Sequence, residues 1–143
     1  MNVQRFGMAA AAVFVVYAVI YIGSGMIFEH QYAAVMEAFG MNESETWMNW
    51  AGRILFTLVF VYIFVQGHEN KGIAEGVRYG FLIGLLMVGV SLDLYGWTNI
   101  AMGTIFVALV TDLVANIAAG AAAAAIYKPA DAAPAEAAPA GDE

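Results

Sequence analysis

"KGIAEGVRYGFLIGLL", residues 71–86, places glycine at 72, 76, 80 and 84. Glycine weakens a helix in water by roughly 1 kcal/mol relative to alanine, so its return at every fourth position calls for a cause. A phosphate-cradling loop is excluded, because the GK[ST] ending is missing and no strand-like run precedes the stretch. On a helix, four-residue steps drift by only about 40°, so the glycines form one stripe. In a bilayer such a stripe lets another backbone approach closely. Gly72, Gly76, Gly80 and Gly84 are therefore expected to be helix-packing residues at the start of a membrane span.

The whole composition agrees with that reading. The chain has 143 residues, 62% hydrophobic and 12% charged, whereas a soluble domain is nearer half apolar and a quarter charged. The formal charge of −7 argues against nucleic acid as a partner, since that needs a basic face. No cysteine is present, which excludes disulfides, thiolate metal sites and cysteine nucleophiles.

A bilayer core of ~30 Å takes about 20 apolar residues as a helix. Four stretches qualify, at about 6–28, 48–66, 77–97 and 100–127. The expected fold is all-α, an integral membrane four-helix bundle. Arg5, Lys71, Arg78 and Lys128 fall on one side of such a bundle and Arg53 near the other, which predicts both termini in the cytoplasm. Trp47, Trp50 and Trp97 fall at the opposite ends of the spans, where interfacial aromatics belong. Within the long first loop, "QYAAVMEAF" (31–39) can form a short amphipathic helix on the membrane surface, and Asn42 with Glu45 resembles a capping box before the second span. From Pro129 onward the chain is acidic and Ala/Pro-rich, which predicts a disordered tail over 129–143.

Ionisable residues inside spans are costly and seldom face lipid. Arg53 and Asp93 lie at matching depths, which leaves two readings: a buried or half-buried ion pair between them, or an Arg53 that snorkels to the outer surface beside a hydrated Asp93. Asp112 lies near the middle of the fourth span, with Asn116 and Gly120 following at one-turn intervals on a face of small residues. Two readings of Asp112 stay open: a proton or cation relay, or a protonated acid hydrogen-bonded to a neighbouring helix. On the third span Asp93 lies about 180° from Gly84, with Gly89 and Gly96 near it. That predicts two close-packing faces, the glycine stripe meeting a helix from a second copy or a partner.

His30 and His68 fall about one membrane thickness apart, so they cannot be the two axial ligands of one haem in a monomer. No cofactor and no resident metal are expected, with a metal across an oligomer interface or a haem or quinone redox role as remote alternatives. No nucleophile–base arrangement stands out.

Three stretches carry a resemblance: "YIGSGMIF" (21–28), "EGVRYGFLIGLL" (75–86) and "GAAAAAIYK" (120–128). With the span layout, they resemble small four-span bacterial inner-membrane proteins known only as a domain of unknown function. The resemblance implies a bacterial inner membrane and a helical bundle, and no activity. The function expected from the residues is that of a non-catalytic membrane protein acting through helix–helix contacts, as an accessory subunit of a larger complex or as a homo-oligomer. Its partners would be the lipid bilayer and other transmembrane helices. The alternative is a small proton- or cation-coupled transporter or channel using Asp112.

Overall fold

The computed structural model describes residues 2–40, 46–69 and 71–127. Among them are five helices: α1 (Val3–Ile27), α2 (Glu29–Ala38), α3 (Thr46–Gln66), α4 (Ile73–Tyr95) and α5 (Met102–Ile126). All but α2 are long and apolar enough to cross a membrane. The chain is a multi-pass membrane protein with an all-helical fold. The Asn42–Glu45 cap, Lys128 and the 129–143 tail lie outside the described residues.

Local chemistry sets the helix ends. Asn2 accepts the Arg5 backbone N–H at 3.1 Å and opens α1, satisfying one of the donors that a helix start leaves free. Phe28 (φ −114°, ψ 38°) breaks the helix, and α2 starts immediately after it. Gly40 follows α2 with φ +61°, and Gly72 precedes α4 with φ +76°, a conformation that glycine adopts without steric cost. α4 begins at Ile73, four residues before the sequence estimate. The cause is Glu75 in its first turn, whose carboxylate accepts the backbone N–H of Glu69 at 2.5 Å and of Lys71 at 2.8 Å. The incoming loop is thereby tied to the helix start.

α5 is the centre of the bundle. α4 packs along one side of it and α1 along another, while α3 lies mainly on α1 and α2 crosses the end where α1 finishes and α5 begins. The core is formed by Ala9, Val13 and Tyr17 of α1, Phe60, Val61 and Phe64 of α3, and Ala115, Ala119 and Ala123 of α5. α3 and α4 meet through aromatics near their connecting loop. The rings of Phe60 and Tyr79 lie 4.8 Å apart, and the Tyr79 hydroxyl donates to the Phe60 carbonyl at 2.7 Å. Leu82, Leu85, Leu86 and Val90 of α4 face outward, as lipid-facing residues of a span do.

The glycine stripe is the α4–α5 seam. A methyl group built on Gly76 would fall 2.8 Å from the Gly120 carbonyl carbon, and one on Gly80 would fall 2.9 Å from Ile117 Cα. At Gly84 it would meet Leu113 Cδ1 at 2.9 Å. The descending partner numbers show antiparallel packing with backbone against backbone. The expectation that this stripe faces a second copy or a partner is therefore corrected: α5 of the same chain covers it. Gly72 is corrected as well. It stands outside α4 with nothing within 4 Å of its added carbon, and its role is the backbone turn. Gly89 has open space too, and Asp93 is exposed, so the expected second close-packing face of α4 is not formed in this chain.

Candidate functional site: a polar cluster among four helices

The intramembrane polar residues converge on α5. Asp112 and Asn116, one turn apart, face α1, whose Tyr17 and Tyr21 are also one turn apart. The Tyr21 hydroxyl donates to Asp112 Oδ1 at 2.5 Å, and the Tyr17 hydroxyl donates to Asn116 Oδ1 at 2.8 Å. Asn116 Nδ2 donates back to the Asp112 carbonyl at 2.8 Å. Ser91 of α4 donates to the other carboxylate oxygen, Oδ2, over a longer 3.4 Å. Each of these groups would be costly in hydrocarbon without a partner. Pairing them joins α1, α4 and α5 at one level.

α3 contributes Arg53. Its guanidinium lies over the Tyr21 ring, 4.2 Å from the centroid, and 5.4 Å from that of Tyr17. A cation over an aromatic face is attracted by the ring quadrupole, more so where water is scarce. Tyr21 thus separates and serves both charges: its ring faces Arg53 and its hydroxyl faces Asp112. The Arg53–Asp93 ion pair is not formed. Among the described residues the ion pairs are His68–Glu75 and Lys71–Glu69. Asp93 points out of the bundle, so equal depth was not matched by equal azimuth.

Toward the loop joining α3 and α4 the cluster stops. Next to Asn116 comes the Gly80–Asn116 and Gly76–Gly120 contact, where the two backbones touch. Beyond the seam a second group surrounds His68. This side chain is only 7% exposed, between the rings of Phe64 (5.2 Å) and Tyr127 (5.8 Å). Its Nδ1 lies 3.2 Å from Glu75 Oε2. That is within ion-pair range but misaligned, and both ring nitrogens lack a hydrogen bond. Lys71 beside Glu69 holds that exposed carboxyl below the usual carboxylate range. His30 stands on exposed α2 at the other end of the bundle, and no three His, Asp or Glu side chains gather as metal ligands among the described residues.

Of the candidate residues, Arg53, Asp112 and Asn116 share one site, Gly76, Gly80, Gly84 and Gly120 form the seam beside it, and Asp93 and Gly72 stand apart. Tyr17, Tyr21 and Ser91 are the members that sequence reasoning missed. A signal was present: Tyr17, Tyr21 and Ser24 form a polar line through an otherwise apolar span. Compared with protein-family models, with curated proteins and with solved structures, the chain gives no match.

Proposed function

We propose that the chain is a non-catalytic membrane protein that works through helix–helix contact, as an accessory subunit of a larger complex or as a homo-oligomer, in a bacterial inner membrane. One observation carries this reading: the polar side chains of the Asp112 cluster, Tyr17, Tyr21, Arg53, Ser91 and Asn116, are occupied by one another, while the faces of α3 and α4 remain open and apolar. A polar cluster so saturated acts as glue between helices. Contact with another protein would then use the side chains of Phe81, Leu85 and their neighbours, because the glycine seam is already covered. Gentle extraction followed by mass analysis of the intact assembly tests it. A stoichiometric partner or a second copy is expected. Single copies with no partner, in native membrane extracts, would overturn the proposal.

A relay through Asp112 is the second reading, favoured by the run of hydrogen bonds from Tyr17 to Asn116, from Asn116 to the Asp112 carbonyl and from Tyr21 to the Asp112 carboxylate. It requires water to reach Asp112 from both ends. Proton flux in proteoliposomes that Asp112→Asn abolishes would support it, and unchanged flux in that variant would remove it.

A further inference from the structure

Arg53 uses its flat face on Tyr21, and among the described residues no carboxylate lies within ion-pair range of it. Its edge borders a cleft of about 190 Å³ between α1 and α3, lined also by Asn49, Trp50, Ala18 and Ile22. Directly along the same two helices is a second cleft of about 310 Å³, lined by Ala10, Phe14, Ile54, Thr57 and Leu58. Phe14 lines both, so the two clefts adjoin as successive stretches of the α1–α3 groove. The order of residues gives the groove a polarity. Its cation and amide are nearer the start of α3, and its aliphatic walls lie deeper along the helix.

A guanidinium supplies several donors in a fixed fork suited to phosphate oxygens. In a span its charge is best balanced by an anion when the nearest carboxylate is engaged elsewhere. We propose that this groove binds one anionic phospholipid, with its phosphate at Arg53 and Asn49 and one acyl chain along Phe14, Ile54 and Leu58. A head that meets a cation above a tail that meets hydrocarbon fits the order of the lining. Trp50, exposed at the same level, has the amphipathic ring that sits well at lipid headgroups.

The full chain in mild detergent, titrated with phosphatidylglycerol or phosphatidylcholine of identical acyl chains and observed by native mass spectrometry, tests the proposal. Phosphatidylglycerol is expected to bind about tenfold more tightly, because both lipids carry the phosphate but the choline cation of phosphatidylcholine cancels the net negative charge that Arg53 attracts. Arg53→Gln should bring the two lipids to equal affinity. Ala18→Phe, which fills the upper cleft from α1 and leaves the Arg53 charge in place, should weaken both lipids while helicity stays unchanged. Equal binding of the two lipids by the unaltered chain would overturn the proposal. So would undiminished binding of both lipids by Ala18→Phe, and that variant decides the matter should Arg53→Gln fail to fold.

Discussion

The Tyr21 hydroxyl stands 2.5 Å from Asp112 Oδ1, across 91 residues of sequence. This contact brings the first span to the last and places a phenol between the Arg53 guanidinium and the half-buried Asp112 carboxyl group. Tyr21→Phe should leave Asp112 with only the long Ser91 bond. A loss of about 1–2 kcal/mol is expected, the upper range for hydrogen bonds between membrane helices. Reversible unfolding in mixed micelles measures it. A loss no larger than that of an exposed α1 substitution such as Val19→Ala would show that the contact contributes nothing.

Gly80→Ala places a carbon against the Asn116 carbonyl group and Ile117 Cα. The two backbones must separate, and a destabilisation of more than about 2 kcal/mol is expected, as for an overpacked core. Gly89→Ala meets open space and should be neutral or stabilising by up to about 1 kcal/mol through helix propensity. Thermal melting followed by circular dichroism compares them. Equal melting points would place the seam elsewhere.

Asp93 faces out of the bundle, so Asp93→Asn should change stability by less than about 0.5 kcal/mol, as an ordinary surface substitution does. In a double-mutant cycle with Arg53→Gln the coupling should be close to zero. Coupling above about 1 kcal/mol would mean that the two charges meet after all.

Among the described residues, two buried polar groups have no hydrogen bond: the Thr57 hydroxyl and the imidazole of His68. Thr57→Val keeps the shape and removes the unpaired group, so a gain of about 1 kcal/mol is expected. His68→Phe should be tolerated between Phe64 and Tyr127, whereas His68→Ala should cost about 2 kcal/mol through the cavity. If His68→Phe is the more damaging of the pair, the Glu75 contact rather than ring packing holds the site.

Glu75 receives the N–H groups of Glu69 and Lys71. Glu75→Ala should release both amides and speed their hydrogen exchange, with α4 beyond Gly76 unaffected. Unchanged protection at Glu69 and Lys71 would show that the loop is held by other means.

Much of this architecture was legible because the bilayer imposes length and apolarity on each span. The four long helices depart from the sequence estimate by at most four residues at an end, the most at the start of α4, where Glu75 intervenes. The stripe at Gly76, Gly80 and Gly84 was legible as a close approach but not as an approach to α5. Small residues say how near a neighbour comes, not which neighbour it is. Arg53 and Asp93 misled for a related reason. Hydropathy gives depth, and rotation about the helix axis depends on packing that no single span encodes. Tyr21 was hidden because its partner is 91 residues away.

That separation has a consequence for the order in which the molecule is made. α4 and α5 are consecutive, joined by the short 96–101 connection, and their backbone seam can close as soon as both have entered the membrane. α1, by contrast, is made first, and its Tyr17 and Tyr21 hydroxyls wait for Asn116 and Asp112 until the fourth span emerges. During synthesis the first helix carries two unmatched hydroxyls in lipid, and the last helix releases it from that state. Ribosome-stalled chains ending before Met102 should leave α1 open to crosslinking by lipid-borne probes at Tyr21, and chains extended past Ile126 should not.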